Sequence, residues 1–278
     1  MGTLINGKKI AHDILESLQE RVRMLAQKGV APSLTVILVG DNKASTTYVR
    51  KKGEAAKAIG IDFTLEKYPS EATTEQVVNE IQRIQSERAP HGMIVQLPLP
   101  DHIDTNTVLN AIDPARDVDC LTFVNIGKLM MNNSPFSPPT PAAIMEIIAS
   151  QPIQLAGANV TIVGVGPLVG RPLAVMLMNE RASVTTCNSI TRDFTEKCLS
   201  ADIIVSGVGK AGLIRGNMVK RRAIVVDAGV DFVNGKMIGD VVVDEVLPRA
   251  SAVTPTPGGV GPVTVACLLR NTVLAAEL

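Results

Sequence analysis

Two stretches of the chain combine residue types and spacings that can do chemistry. In VTIVGVGPLVGRPLAVML, residues 160–177, a β-branched run leads into Gly164, Gly166 and Gly170 and then into a helical pattern beginning near Val169. The first glycine permits a tight turn, and the second lets backbone N–H groups approach a phosphate. The helix that follows points its positive end at the anion. This is how a strand–turn–helix unit holds the pyrophosphate of a dinucleotide, although the spacing is GxGxxxG and such a turn can also bind nothing. In TTYVRKKGEAAKAIG, residues 46–60, Tyr48 stands four residues before Lys52, which puts phenol and ammonium on one face of a helix. Most helix lysines are solvated, as Lys51 is expected to be. A lysine does acid/base work near neutrality only where burial or neighbours lower its pKa. The apolar MIVQLPLP, residues 93–100, offers a wall of that kind, with the uncharged amide of Gln96 to hold the amine.

Two shorter segments add detail. DPARDVDC carries Asp113, Asp117 and Asp119, a loop without calcium-ligand spacing. Asp119, placed after the QLPLP strand, can accept paired hydrogen bonds from an amino-heterocycle. The strand after the glycine turn ends CNSITR, where an NAD site usually places Asp or Glu for the ribose hydroxyls. Ser189, Thr191 and Arg192 stand there without a carboxylate, so a 2′-phosphate is tolerated. These are also ordinary helix-start residues.

The elements that must position these groups follow from the pattern. LTVILVG, MIVQLPLP, VTIVGVG, SVTTC, DIIVSGVG and AIVVDAGV alternate with helical stretches such as TEQVVNEIQRIQSE, the rhythm of βα units around mostly parallel sheets. The proline-rich NNSPFSPPTP, residues 132–141, cannot continue a strand or helix and marks a domain junction. Two α/β lobes are expected, with a cleft for a ligand, and a terminal helix from about Val263 that returns to the first lobe. The N-terminal MGTLINGKKIAHDIL reads as a helix start rather than a signal peptide.

Bulk properties narrow the class. The 278 residues are 46% hydrophobic and carry 27 basic and 27 acidic side chains, so a real core is affordable and neither a nucleic-acid surface nor a membrane patch is indicated. No apolar run approaches the roughly 20 residues that span a bilayer. The four cysteines and three histidines show no disulfide or metal spacing, which suits a cytoplasmic protein with reduced thiols and no metal.

YVRKK, VQLPLP, RDVD, PPTP, TIVGVGPLVGRPLA, IIVSGVGKAG, VVDAGV, GDV and above all TPTPGGVGPVTVACLLRNT together resemble, in order and spacing over nearly the whole chain, the bacterial bifunctional methylenetetrahydrofolate dehydrogenase/cyclohydrolase family. The resemblance implies a catalytic, folate-binding domain of residues 1–138 completed by a C-terminal helix at 262–278, and a Rossmann-like NAD(P)-binding domain at 139–261. It implies a homodimer without metal, acting on tetrahydrofolate derivatives with NADP. Carried over by position, Lys52 is the acid/base residue, Tyr48 and Gln96 tune and place it, and Asp119 holds the pteridine ring. Pro257, Gly258 and Gly259 shape the folate site beside the nicotinamide. Gly164, Val165, Gly166, Gly170, Ser189, Val230 and Thr264 fall at cofactor-binding positions.

The chain departs from the family pattern in several places. Gly-Arg-Ser is usual where Gly164, Val165 and Gly166 stand, so the arginine and serine that meet a 2′-phosphate are missing and NAD stays possible; Arg171 or Arg192 are candidates to compensate. Cys120 replaces a glycine and is expected to crowd the pteridine pocket, Asn188 replaces a histidine, and Pro139 a cysteine. Three alternatives remain: a monofunctional dehydrogenase of the same fold, a non-catalytic folate- or dinucleotide-binding protein, and an unrelated two-lobe dehydrogenase of hydroxy or amino acids. The last lacks a histidine near the expected site.

Overall fold

The β-branched runs form parallel strands and the amphipathic stretches between them form helices, in a computed structural model that describes residues 2–233 and 235–278. In chain order the elements are β1 (Thr3–Leu4), α1 (Gly7–Gln27), β2 (Ser33–Val39), α2 (Lys43–Ala58), β3 (Asp62–Tyr68), α3 (Thr74–Glu87), β4 (Gly92–Val95), α4 (Thr105–Asn110), α5 (Phe123–Met130) and α6 (Pro139–Ala149). There follow β5 (Asn159–Val163), α7 (Gly170–Asn179), β6 (Ser183–Cys187), α8 (Phe194–Ser200), β7 (Ile203–Ser206), β8 (Ile224–Asp227), the hairpin strands β9 (Asp231–Val233) and β10 (Lys236–Ile238), α9 (Val243–Val246), β11 (Ala252–Val253) and α10 (Val260–Glu277). No helix among the described residues is long and apolar enough to cross a membrane.

The chain divides into two compact units, one of Asp13–Pro138 with Val265–Leu278, the other of Met1–His12 with Pro139–Thr264. In the first unit the sheet runs β3-β2-β4, all parallel. Central strand β2 is buried from Leu34 onward, which is why its sequence is an unbroken apolar run rather than an alternation. Leu34 and Val36 pack with Leu18, Val22, Val49, Ala56 and Leu268 on one face. Ile37 and Val39 pack with Val77, Ile81 and Ile84 on the other. Each such side chain contributes about 1.5–3 kcal/mol of burial. Helix α3 is started by a capping box between Thr73 and Gln76.

In the second unit six parallel strands lie in the order β1-β11-β8-β7-β5-β6. From β5 the chain moves outward to β6, then returns to the other side of β5 as β7. That reversal is a topological switch point, and in open parallel sheets ligands bind beyond the carboxyl ends of the strands there. Two local expectations change. The N-terminal segment does not begin directly as a helix, because Thr3 and Leu4 first pair with Ala252 and Val253 of β11. Pro139 and Pro141 do not break structure but open α6, since the first turn of a helix has no use for their missing N–H groups.

Candidate active site

The lysine helix is seated by small residues. Ser45, Val49, Gly53 and Ala56 form the buried face of α2, and a Cβ on Gly53 would stand 2.7 Å from the Phe63 ring of β3. The helix therefore lies close on the sheet, and Tyr48 and Lys52 ride half-buried along the edge of that face. Lys52 Nζ donates to Gln96 Oε1 at 3.0 Å. Gln96 is itself fixed twice. Its backbone N–H donates to the Ile37 carbonyl at 2.8 Å, extending the ladder one residue past β4, and its Nε2 donates to the Leu97 carbonyl at 2.6 Å, which turns Oε1 toward the amine.

The structure sorts the three aspartates. Asp113 is exposed and accepts from the Ala115 N–H at 2.9 Å. Asp117 is buried and folds the loop, accepting from the Leu121 and Thr122 N–H groups at 3.1 and 2.8 Å and from the Asn125 amide at 3.0 Å. Asp119 accepts no side-chain hydrogen bond from any described residue, so its acceptor capacity is unspent. The chain leading into it is held twice: the Met93 N–H donates to the Arg116 carbonyl at 2.8 Å, and Asn271 Nδ2 donates to the Val118 carbonyl at 2.8 Å as well as to the Ser137 carbonyl at 2.7 Å.

Electrostatics couple these groups. Burial pushes the Lys52 pKa down, with the Asp119 charge working against it. Burial pushes Asp119 up to about 6, opposed by Lys52 and reinforced by Asp117. Burial also raises the Tyr48 phenol. The amine is thereby moved toward the neutral form that can take a proton. Cys120 adopts φ 56°, the left-handed conformation that explains why glycine is usual there. Its thiol donates to the Phe136 carbonyl at 3.5 Å and lies 3.8 Å from Ser134 Oγ, and burial raises its pKa to about 12.

In the second unit the glycine turn sits at the switch point, where Val163 at the end of β5 pairs with Ser206 at the end of β7. Gly164 has φ 96°, and a Cβ there would stand 2.8 Å from the Gly207 carbonyl oxygen. A Cβ on Gly170 would fall onto the Gly164 carbonyl, whereas Gly166 has open space around it. No side chain caps α7; the Arg171 and Leu173 N–H groups donate to the Gly166 and Val169 carbonyls at 3.1 and 3.0 Å and Pro172 has none, so in its first turn the Gly170 N–H is left for an anion. A close-packed backbone with one open glycine at an uncapped helix start fits a dinucleotide pyrophosphate.

Around the turn, Arg171 Nε donates to the Val165 carbonyl at 3.0 Å. After β6, Asn188 closes a small turn by accepting from the Ile190 N–H at 3.0 Å, and Ser189 and Arg192 are exposed beside it. Val230 is exposed beyond β8. Pro257 is exposed, Gly258 has φ 102°, and Gly259 is buried so tightly that a Cβ would stand 2.6 Å from the Pro255 carbonyl. Thr264 Oγ1 donates to the Val260 carbonyl at 3.2 Å within α10. Tyr48, Lys52, Gln96 and Asp119 thus share one unit, and the glycine turn, Ser189, Val230, Pro257–Gly259 and Thr264 share the other.

Sequence reasoning missed Asn271 and a buried acidic network. Asp227, at the end of β8, accepts from the N–H groups of Gly229, Asp240 and Val241 at 3.0, 3.2 and 3.0 Å. Burial and the neighbouring Asp240 raise it to about 6, against those hydrogen bonds. The available signal was an acidic residue within two positions of a glycine, in VVDAGV and GDV.

Residues 5–119 match the tetrahydrofolate dehydrogenase/cyclohydrolase family over its catalytic domain, and residues 138–278 match its NAD(P)-binding domain. The chain is 43% identical over 275 residues to the bifunctional protein FolD of Campylobacter concisus, covering 99% of this chain and 97% of that one. The crystal structure of the bifunctional enzyme FolD, a methylenetetrahydrofolate dehydrogenase/cyclohydrolase, from Campylobacter jejuni superposes with a TM-score of 0.97 at 39% identity, covering 100% and 99% of the two chains. A methylenetetrahydrofolate dehydrogenase-cyclohydrolase from Trypanosoma brucei, complexed with NADP cofactor and inhibitor, superposes with a TM-score of 0.96 at 39% identity, covering 99% and 97%.

Proposed function

This chain belongs to the tetrahydrofolate dehydrogenase/cyclohydrolase family, and we propose that it oxidises 5,10-methylenetetrahydrofolate to the 5,10-methenyl cation and hydrolyses that cation to 10-formyltetrahydrofolate. The observation that carries the reading is the Lys52 amine, depressed by burial and held at 3.0 Å by Gln96 beside the unspent carboxylate of Asp119. We assign the folate chemistry to residues 1–138 with 262–278, and dinucleotide binding to 139–261.

In this reading Asp119 accepts paired hydrogen bonds from the pteridine, and Tyr48 lines the ring beside the amine. For hydrolysis, neutral Lys52 takes a proton from water as its oxygen bonds to the methenyl carbon. The resulting ammonium returns that proton to N5 as the carbon–N5 bond breaks, and the second water proton leaves the hydroxyl for solvent as its oxygen becomes the formyl carbonyl on N10, so that cation and water give 10-formyltetrahydrofolate and one proton. Gln96 keeps the amine aimed through both steps, which is work that only a positioned group of suitable pKa can do. The glycine turn, with Gly164, Gly166 and Gly170, would hold a nicotinamide dinucleotide. When bound, it supplies the two-electron acceptor for the oxidation.

We propose NADP as the preferred dinucleotide, by a narrow margin. Neither of the two residues after β6, Asn188 and Ser189, is a carboxylate that would repel a 2′-phosphate, and Ser189, Arg171 and Arg192 are the candidates to hold one; Val165 and Gly166 supply neither a guanidinium nor a hydroxyl. Absorbance assays with methylenetetrahydrofolate, run side by side with NADP and NAD, should show reduced dinucleotide forming with both, faster with NADP. Methenyltetrahydrofolate should lose its absorbance when mixed with the protein alone. Reduction without that loss would make the chain a monofunctional dehydrogenase, and neither signal would refute the enzyme reading. The homodimer implied by the family is checked by light scattering, where twice the mass of one chain is expected.

A further inference from the structure

Asp240 is fully buried, and its carboxylate has so far figured only as the neighbour of Asp227. A buried carboxylate is tolerable only when its oxygens are supplied with donors. Asp240 takes its donors from a single short stretch of chain: Oδ2 accepts from Ser206 Oγ at 2.6 Å and from the Val208 N–H at 2.8 Å, and Oδ1 accepts from the Lys210 N–H at 2.7 Å. These bonds dictate the course of residues 206–210, which leave β7 at the switch point. The same stretch carries the Gly207 carbonyl that backs Gly164, and the Gly209 site where a Cβ would stand 3.1 Å from the Val230 carbonyl oxygen. Gly229 must be glycine for the same reason, since a Cβ there would fall on the Asp240 carboxylate.

We infer that Asp240 is a positioning residue for dinucleotide binding, its carboxylate presetting the 206–210 loop against the Gly164 turn and Val230. The inference rests on the reading of that turn as a dinucleotide site. Asp240→Asn keeps the shape but replaces one acceptor with an NH2 group. Since both oxygens receive backbone N–H groups, the new donor must face another donor in either orientation of the amide.

The test combines calorimetric binding of NADP and NAD with amide exchange followed by NMR. In ligand-free wild type, the Val208 and Lys210 amides should exchange slowly and change little when NADP is added. Asp240→Asn should weaken both dinucleotides at least tenfold and accelerate exchange at Val208 and Lys210 while leaving the β5 amides protected. A general loosening with unchanged affinity, or unchanged affinity with a loosened loop, would show a merely structural role and overturn the inference. Should the variant fail to fold, the wild type still decides: Val208 and Lys210 amides that exchange freely until NADP arrives would mean that the ligand, not Asp240, orders the loop. Wild type that binds neither dinucleotide would refute the dinucleotide-site reading itself, whereas wild-type binding with full affinity retained in Asp240→Asn refutes only the role of Asp240.

Discussion

The double change Val165→Arg with Gly166→Ser should turn a weakly biased dinucleotide site into one that favours NADP by about a further tenfold. The structure allows both side chains. Gly166 has open space where a Cβ would go, so serine fits without displacing the turn, and Val165 holds Arg171 through its carbonyl oxygen rather than its side chain. A guanidinium paired bidentately with a 2′-phosphate makes two charged hydrogen bonds worth about 1.5–3 kcal/mol each. Ordering a long side chain takes back about 0.5–1.5 kcal/mol, and exposure of the turn keeps the pair toward the lower end. The remainder, about 1.5 kcal/mol, is about tenfold in kcat/KM. Measuring kcat/KM for NADP and NAD on the same preparation cancels any loss of folded protein, and the ratio should shrink as salt is raised. A ratio that does not move would mean that the 2′-phosphate lies away from the 165–166 turn, and a shift produced only by slower use of NAD would refute the charge argument.

Lys52→Met should lower methenyltetrahydrofolate hydrolysis by about 10²–10⁴-fold, the usual scale of a lost general acid/base, and dehydrogenation much less; equal losses in both would show that Lys52 binds folate instead of moving protons. Asp119→Asn should weaken folate binding by about 1.5–3 kcal/mol, measured as KM. In wild type, KM for folate should rise as pH falls through about 6, where Asp119 protonates, and the variant should lack that limb. The raised Asp119 pKa also means that the folded state holds this proton more tightly than the unfolded one. Its stabilising effect is complete below the ordinary 3.8 and is lost as pH rises through about 6, so urea midpoints of wild type should fall relative to Asp119→Asn across that window. Gly170→Ala should cost about 1–3 kcal/mol of stability, as overpacking does, because its Cβ would fall on the Gly164 carbonyl; a wild-type urea midpoint would contradict the packing.

Local pattern was enough to read the elements. The unbroken apolar run of β2 marks a strand covered on both faces, the capping box at Thr73 and Gln76 starts α3 where TEQVVNEIQRIQSE begins, and the glycine turn announces itself between β5 and α7. These signals are readable because backbone conformation answers to neighbours within a few residues. At Pro139 the same logic marked the junction, since the two compact units divide between Pro138 and Pro139, but missed that the prolines beyond it open a helix. The candidate site was nominated from residue types, but its geometry was not legible, because it depends on groups distant in sequence. Lys52 and Gln96 stand 44 residues apart and meet only because α2 packs close on the sheet in which β2 and β4 are paired. Which of Asp113, Asp117 and Asp119 keeps its acceptors unspent was decided by the loop's own N–H groups and by Asn271, 153 residues from the Val118 carbonyl that it holds. Asp240 reads in sequence as one more acidic residue beside a glycine; burial, which only the assembled sheet imposes, made its donors obligatory. Sequence determined which chemistries were available, and tertiary structure decided which side chains were desolvated and aimed, because desolvation and hydrogen bonding are set by everything packed around a group rather than by the group itself.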